Sequence, residues 1–512
     1  MHVRRLVPIF LLLMILPLGS AYQISYITWG GDQYDSAIAV FPMKDYTILV
    51  TSTGSFSDER GIGLVYLGDD GSQYAEIIYS DASIRARDAV LYGGYIYIVG
   101  DMGETAFSRG DAFLAKLSLD GDVIYFKSIG RAFNDRINTI RILDDYIYVG
   151  GYTYPEGSVK RAFVAKFDLK GNLLWAEAFG TPKLQTKTLA VSDAVYLGCS
   201  DGEDIYLVKF DKLGNFYFAE RWENSGKDDI EYITSEDGYL YASGSVENIA
   251  FGNAFLMKLD RNLNVVWAET FGLGFGDSIE QILFNDSKIV AVGKWGNYDT
   301  KFFNTFITTF DENKLDWIGT FASSETFFPV KAVLKDDVIY IAGYSDSASI
   351  EFSIPNFSEV TRKTLAEPLD VSFTSVARVD MQPISVSFSV NPIRVYTKEV
   401  QGTLGQPIKG DAMLIKFAES PAPSTTTTTQ TTTNITTTTT SSPTSSTTTE
   451  ITSTTTSESS TTTQSKETIV VTTTVYTSSA TPTTTSEEKG GVCGVGFILG
   501  LSIIPLIVRR KR

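Results

Sequence analysis

Four aspartates recur at one position of a repeating pattern, and their type and spacing could support chemistry. Asp35, Asp135, Asp228 and Asp277 each lie eleven residues before a segment that ends in glycine. Carboxylates at equivalent positions of a closed repeat would form a partial ring that suits hydroxyl-rich ligands or hard cations such as calcium. Alternatively, an aspartate at the start of a strand hydrogen-bonds its own loop. Both interpretations stay open, and no cofactor is predicted beyond calcium.

Aromatic residues that break the repeat form a second set of candidates. Tyr154, Trp295 and Tyr298 fall where loops between strands are expected, and we predict that they lie on a rim. Aromatic rings beside carboxylates suit carbohydrate binding, although exposed aromatics also serve protein contacts. Trp175 and Trp267 instead recur at one position of the repeat, which indicates core packing.

Composition excludes several function classes. The only histidine, His2, lies in the N-terminal apolar segment, so the rest of the chain lacks imidazole for Ser-His-Asp catalysis, for histidine-ligated zinc and for histidine acid–base chemistry. The formal net charge is −17, which disfavours nucleic acid as a partner. No nucleotide-binding loop, metal-ligand cluster or pair of catalytic carboxylates stands out.

A repeat of about 50 residues must position these side chains. A segment similar to Ala-Phe-Leu-Ala-Lys-Leu recurs at 112–117, 162–167, 205–210, 254–259, 305–310 and 412–417, with a degenerate copy at 62–67. An alternating segment that ends in glycine precedes each copy, and a turn with an aromatic segment follows. This alternation predicts four strands per repeat and no helix. Seven such units predict an all-β, seven-bladed β-propeller over residues 22–420.

The repeat resembles the SBBP-type β-propeller repeat. The pattern of Asp-Ala-Phe-x-Ala-Lys, Gly-Asn and Trp-Ala is matched best around 111–180 and 254–272. The last copy, at 412–417, has no aromatic fourth strand after it, whereas Ile24 to Trp29 fits that missing strand. We therefore expect the N-terminal strand to complete the last blade and close the ring.

An insertion interrupts the last repeat at 344–410. The two final copies of the recurring segment are 107 residues apart, about twice the usual period. Residues 371–379 and 384–390 alternate like strands, so the insertion is not disordered in composition. It is predicted to be either a lid over the channel mouth or a decorative subdomain.

The two ends of the chain predict secretion and anchoring. Residues 1–21 have the basic, apolar and small-residue order of a signal peptide, with an uncleaved anchor as the alternative. Residues 421–489 are rich in threonine and serine and are predicted to form a disordered, glycosylated stalk. An apolar run at 492–508 precedes four basic residues and predicts a membrane anchor or a processed sorting tail at 490–512.

The tail resembles the CGP-CTERM sorting signals of archaeal surface proteins of the Thermococcales type. The resemblance rests on Cys493-Gly494, the apolar run and the basic cluster, with Val495 where the family has proline. It implies that Cys493 is trimmed to and lipidated; the alternative is a buried thiol in a membrane helix. Asn285, Asn356 and Asn434 begin sequons for N-glycosylation.

These features predict a non-enzymatic binding or structural module on the extracellular face of the membrane. Its expected partner is a cell-envelope component, a polysaccharide or a protein, and its expected membrane contact is the C-terminal segment. The alternative is an extracellular carbohydrate-active hydrolase or lyase that uses carboxylates and tyrosine. Two carboxylates about 5–10 Å apart beside a sugar-stacking aromatic would distinguish the two.

Overall fold

Five-stranded antiparallel sheets repeat seven times along the chain in a computed structural model of the protein. The described residues are 21–420, except 104–109, 132–133, 156, 158, 224–225, 249–250, 286–287, 298–300, 312–313, 356–360, 366–374, 401 and 405–409, together with 431–438 and 450–457. Contacts divide the chain into a unit at 1–476 and a unit at 477–512, and the second lies wholly outside the described residues.

Each sheet is one propeller blade, and its first four strands form four layers from the axis outward. The inner strands are β2 (Asp35–Pro42), β6 (Ile84–Tyr92), β10 (Arg136–Leu143), β14 (Gln185–Val191), β18 (Asp228–Glu236), β22 (Phe275–Asn285) and β26 (Phe327–Lys335). The second strands are β3 (Tyr46–Thr53), β7 (Tyr95–Met102), β11 (Tyr146–Thr153), β15 (Val195–Ser200), β19 (Tyr239–Asn248), β23 (Lys288–Gly296) and β27 (Val338–Ser345). The third strands are β4 (Gly61–Gly68), β8 (Asp111–Ser118), β12 (Arg161–Asp168), β16 (Ile205–Phe210), β20 (Phe251–Leu259), β24 (Phe303–Asp311) and β35 (Asp411–Ser420). The fourth strands are β5 (Gln73–Tyr79), β9 (Val123–Gly130), β13 (Leu173–Phe179), β17 (Phe216–Glu223), β21 (Val265–Gly272), β25 (Lys314–Ala322) and β1 (Ala21–Gly30).

The inner strands of neighbouring blades contact one another around the whole ring, β26 and β2 included. Blades are therefore packed on both faces, and the middle strands are buried on both sides, as in β4 and β16. Antiparallel pairing places the start of every inner strand and the end of every second strand on one face, which we call the upper face. The opposite face, with the turns between first and second strands, is the lower face.

The N-terminal strand closes the ring as predicted. β1 pairs with β35 from Ala21 opposite Ser420 to Trp29 opposite Ala412. β35 also pairs with β27, so the last blade is built from both ends of the ring. Trp29 is fully buried in the core between this blade and the first. The closure removes the open edge that a linear array of blades would leave.

The insertion is not a lid, and that prediction is wrong. After β27 the chain runs around the outside of the propeller and adds a fifth strand to every blade in reverse order, from blade 6 to blade 1, before it returns to blade 7. We call this segment, residues 346–410, the belt. Its strands are β28 (Glu351–Ser353), β29 (Thr361–Leu365), β30 (Ser375–Val379), β31 (Ile384–Ser385), β32 (Ser389–Pro392), β33 (Tyr396–Val400) and β34 (Thr403–Leu404).

Belt side chains fill the seams between blades. The ring of Phe352 lies 5.0 Å from that of Phe321 in blade 6 and 5.6 Å from that of Phe417 in blade 7. Phe388 lies next to β32 of blade 2 and packs 5.1 Å from Phe163 of blade 3. Blades diverge outward from the axis, so the belt occupies the wedges that open between them and pairs the exposed outer edges.

A β-bulge interrupts every inner strand at the same position. The bulged residues are Ile38, Arg87, Asn138, Lys187, Glu231, Glu280 and Val330. A bulge leaves one residue unpaired and redirects its side chain. The seven bulges therefore give a common reference position in each blade, beside the axis of the ring.

The predicted stalk and anchor lie mostly outside the described residues. Within 421–489 the structure describes β36 (Thr431–Thr438) and β37 (Glu450–Ser457), which pair antiparallel as a two-stranded sheet. Within the part of the chain described, no helix is long and apolar enough to cross a membrane. The anchor at 490–512, including Cys493, is not among those residues and stays a prediction.

Candidate functional site

Asp35 is buried at the upper start of β2 and ties two loops together. Its Oδ2 accepts hydrogen bonds from the N–H of Gly31 at 3.0 Å and from the hydroxyl of Ser55 at 2.6 Å. Its Oδ1 accepts from the N–H of Gly54 at 3.1 Å and from the hydroxyl of Thr53. Gly31 belongs to the loop that enters the blade, and Gly54 to the loop after the second strand. The carboxylate is thus a structural brace.

The other three recurrent aspartates are buried in the same way and bond the same loops. Asp135 accepts from the N–H of Arg131 (2.7 Å), Asp228 from that of Glu247 (3.1 Å), and Asp277 from those of Leu273 (2.6 Å) and Gly274 (3.0 Å). Burial raises the pKa of both Asp135 and Asp277 to about 6. These bonds match the loop-bracing interpretation; ligand binding by the aspartates stays a prediction.

A continuous carboxylate ring is ruled out by the other blades. All four aspartates lie three residues before the bulge, and the remaining blades carry Ile84, Leu184 and Phe327 there, each fully buried. No cluster of three or more Asp, Glu, Cys or His side chains within the described ranges could hold a metal ion. The calcium hypothesis therefore gains no support from these residues.

The candidate aromatics do not form one surface. Trp295 is half-buried and packs against the core of blades 5 and 6, close to Gly274. Tyr154 lies edge to face with Tyr152, at 6.0 Å between ring centroids. Tyr298 lies outside the described residues. Of the two described candidates, Tyr154 lies beside a cleft, because its neighbour Tyr152 lines one.

That cleft lies on the upper face across blades 1 to 3 and has a volume of about 300 Å³. Its lining is mostly polar and includes Arg85, Asp101, Asp135, Arg136 and Tyr152. Of the predicted site residues, it contains Asp135 and lies near Tyr154. Asp35, Asp228 and Asp277 belong to other blades, so the structure does not bring the predicted set together.

Arg85 and Arg136 occupy the same repeat position in neighbouring blades, two residues before the bulge. The register pairs Arg85 with Asp101 and Arg136 with Tyr152 across the first two strands. The equivalent inner-strand residues elsewhere are Ser36, Gln185, Asp229, Ser278 and Phe328. Blades 2 and 3 alone place a cation there, so the basic character of the cleft is local to them.

Asp101 lies among the cations of the cleft. Its Oδ1 is 2.7 Å from Nε of Arg87 and 3.2 Å from Nε of Arg136. Burial, together with the charges of Arg85 and Arg87, lowers the pKa of Arg60. Sequence reasoning did not identify these arginines; their one signal was a basic residue at a repeat position that is elsewhere neutral or acidic.

Lys160 adds a further cation beside Tyr152. Its Nζ lies 5.0 Å from the centre of the Tyr152 ring, and the guanidinium carbon of Arg136 lies 5.2 Å from it. Burial and the charge of Arg136 lower the pKa of Lys160. Tyr152 is thereby held between two cations, an arrangement worth roughly 0.5–2 kcal/mol per contact.

Ion pairs bridge the axis itself. Asp88 Oδ1 lies 2.8 Å from Nζ of Lys331 in blade 7, although blade 1 stands between their blades. Asp88 Oδ2 lies 3.1 Å from Nη1 of Arg141 in blade 3. Burial alone would raise the pKa of Asp88, but these two cations hold it below its ordinary value. The Asp88–Lys331 pair thus connects blades 2 and 7, which are not neighbours in the ring, and the Asp88–Arg141 pair connects the neighbouring blades 2 and 3.

A second ionic cluster joins blades 4 to 6. Lys187 Nζ lies 2.8 Å from Oδ2 of Asp229 and 3.4 Å from Oε1 of Glu231. Nζ of Lys294 lies 2.7 Å from Oε1 of Glu280. Burial and then the charge of Glu280 raise the pKa of Glu231. The charged groups of this cluster are therefore paired with one another.

Two of the three predicted sequon asparagines lie within the described residues. Asn285 is half-buried at the lower end of β22, and Asn434 lies in β36. Asn356 lies outside the described residues. Glycosylation at the three positions stays a prediction.

Comparisons with known proteins find distant likenesses among solved structures. No protein-family model matches the chain, and no curated protein sequence matches it. Among solved structures, Sqt1 from Chaetomium thermophilum is 12% identical, with 66% of this chain and 100% of that chain covered and a TM-score of 0.37. The phage phi92 endosialidase is 11% identical, with 77% of this chain and 69% of that chain covered and a TM-score of 0.37. The WD40 domain of SCAP from fission yeast is 8% identical, with 76% of this chain and 97% of that chain covered and a TM-score of 0.34. Likenesses this distant carry no functional argument, so the seven-bladed propeller rests on the chain's own sheet topology, and the SBBP-type and CGP-CTERM resemblances stay predictions.

Proposed function

We propose that the protein is a non-enzymatic binding module of the cell surface that takes its ligand in the upper cleft of blades 1 to 3. The observation that carries the proposal is the cleft itself, which is polar and has a volume of about 300 Å³. Arg85 and Arg136 line it at a register position where the other five blades lack a cation, and Tyr152 lies beside them. A concave site with a few convergent polar groups is the usual form of a ligand site. The rigid inner strands hold these side chains in place.

Binding fits the cleft better than hydrolysis does. A hydrolase needs one carboxyl to donate a proton and another to attack or activate water. Asp101 is engaged by Arg87 and Arg136, and Asp135 braces a loop through the N–H of Arg131. The carboxylates that line the cleft on blades 2 and 3 are thus engaged by other groups of the chain.

Binding is tested by retention of the purified full chain on immobilised neutral and acidic polysaccharides and on envelope fragments. Replacing Tyr152 with alanine should weaken retention at least tenfold, because the ring lines the cleft and contacts Arg136 and Lys160. The matched control is Tyr217→Ala, which removes an exposed tyrosine from the fourth strand of blade 4. Equal retention of Tyr152→Ala and the parent would contradict the proposal.

The proposal includes display at the extracellular face of the membrane through the stalk and the C-terminal anchor. It is supported by the Thr/Ser-rich tract and by the apolar run followed by Arg509, Arg510, Lys511 and Arg512. A chain truncated after Gly491 should appear in the medium, whereas the full chain should fractionate with membranes. Membrane retention of the truncated chain would remove the anchor from the account.

A further inference from the structure

We infer that the ligand of the upper cleft is an acidic saccharide, that is, a sugar that carries a carboxylate or sulfate group. This inference rests on the proposed function and adds the chemical class of the ligand. The inference rests on the arrangement of basic side chains in the cleft. The net negative charge of the chain does not predict such an arrangement.

Basic side chains lie close together in and beside the cleft. Its lining holds Arg85 and Arg136, and Arg60, Arg87 and Lys160 lie next to them. The lining also holds the carboxylates of Glu59, Asp101 and Asp135. The whole chain carries −17, so this grouping of cations differs from the average of the molecule. Like charges packed this closely repel one another, and an anionic ligand would relieve that repulsion.

The geometry suits a planar anion. Arg85 and Arg136 come from neighbouring inner strands at the same register position, so their side chains enter the cleft from adjacent blades. Asp101 Oδ1 accepts a hydrogen bond from Nε of Arg87 at 2.7 Å and lies 3.2 Å from Nε of Arg136. A guanidinium oriented by one carboxylate is prepared to bind a second anion in a bidentate pair, and carboxylate and sulfate both offer the required pair of oxygens.

The rest of the lining favours a sugar over an apolar ligand. Ser83, Asn134 and Tyr152 bring a hydroxyl, an amide and a phenol to the same cleft, and Met102 is the one large aliphatic side chain among its lining residues. Such groups match the hydroxyls of a saccharide ring. The volume of about 300 Å³ suits a short stretch of a polymer rather than an extended chain.

Charge outside the cleft argues against a long polyanion such as nucleic acid. The net charge of −17 would repel the phosphates on either side of any stretch that reached the arginines. A glycan with charges spaced along neutral rings meets less of this repulsion. Single-stranded DNA and an acidic peptide are therefore comparison ligands in the test.

The test is calorimetric titration of the full chain with trigalacturonate, with a neutral galactose trimer as the uncharged match. Trigalacturonate should bind at least tenfold more tightly, and its affinity should fall as salt is raised from about 0.05 to 0.3 M, because salt screens the attraction. Arg85→Gln should weaken the binding of trigalacturonate at least fivefold. Arg85→Lys keeps the charge but loses the two-pronged guanidinium, so its affinity should lie between those of the parent and Arg85→Gln.

The matched control is Arg261→Gln, which removes the same charge from a lower-face turn and should leave trigalacturonate binding unchanged. Arg85 is exposed, so both variants are expected to melt with the parent. Equal binding of the neutral trimer, or tighter binding of single-stranded DNA or the acidic peptide, overturns the acidic-saccharide inference while the binding proposal stands. Failure to bind every saccharide, with no retention on envelope fragments, overturns both.

Discussion

At the scale of single residues, Asp35, Asp135 and Asp277 are braces whose pKa burial raises, so their ionisation costs stability. Asp277 is fully buried and accepts two main-chain hydrogen bonds, and burial raises its pKa to about 6 from an ordinary value of 3.8. Between these values the folded chain binds more proton than the unfolded chain. Stability from this group is therefore lost as pH rises through that interval.

Asp277→Asn should remove this dependence, because the amide keeps an acceptor oxygen and does not ionise. The free energy of unfolding of the parent, minus that of the variant, should fall by up to about 3 kcal/mol as pH rises from about 4 to 7. Melting curves across this range measure the difference. Asp45→Asn, at an exposed lower-face turn, is the control; a flat difference for Asp277→Asn would show that the group does not titrate as described.

The residues of the cleft show where sequence reasoning ended. The repeat made Asp35, Asp135, Asp228 and Asp277 visible because identical residues recur at one spacing. Arg85 and Arg136 stand 51 residues apart in unlike local sequences, and only the bulge register shows that they are equivalent. A site that depends on departures from a repeat is hard to detect by looking for the repeat.

At the scale of elements, the belt supplies the outer strand of every blade. Its segments were partly foreseen, since 371–379 and 384–390 alternate like strands and the structure has β30 at Ser375–Val379 and β31 at Ile384–Ser385. Their position was not foreseen. Strands of two to five residues carry too little pattern to name a partner, and each pairs with a blade far away in sequence. The closing strand β1 was predictable because its partner blade visibly lacked one.

Phe352→Ala tests whether the belt stabilises the propeller or merely decorates it. Phe352 is buried between blades 6 and 7, and its loss should destabilise the chain by about 3 kcal/mol. Ile354→Ala is the matched control, since Ile354 lies two residues away and is 51% exposed. Calorimetric melting should separate the two variants by several degrees. Identical melting of both variants would mean that the belt contributes no packing energy.

At the scale of the whole propeller, closure and internal ion pairs create a rigid frame that carries the polar cleft of blades 1 to 3. β1 joins the last blade to the first, the belt pairs every outer edge, and Lys331 reaches Asp88 across the axis. A binding site on such a frame is already ordered, so ligand binding costs little free energy for ordering its side chains and loops. An acidic chain that places two arginines side by side in a polar cleft gains selectivity for small anions without a general affinity for polyanions.

The central claim is that the upper cleft of blades 1 to 3 is the ligand site, and amide hydrogen exchange of the full chain tests it most directly. With saturating trigalacturonate, peptides that cover 83–103 and 134–152 should exchange more slowly, because they contain Arg85, Asp101, Arg136 and Tyr152. Peptides from the lower-face turn at 260–264 should not change. Protection confined to lower-face turns, or unchanged exchange at the cleft under saturation, would contradict the account.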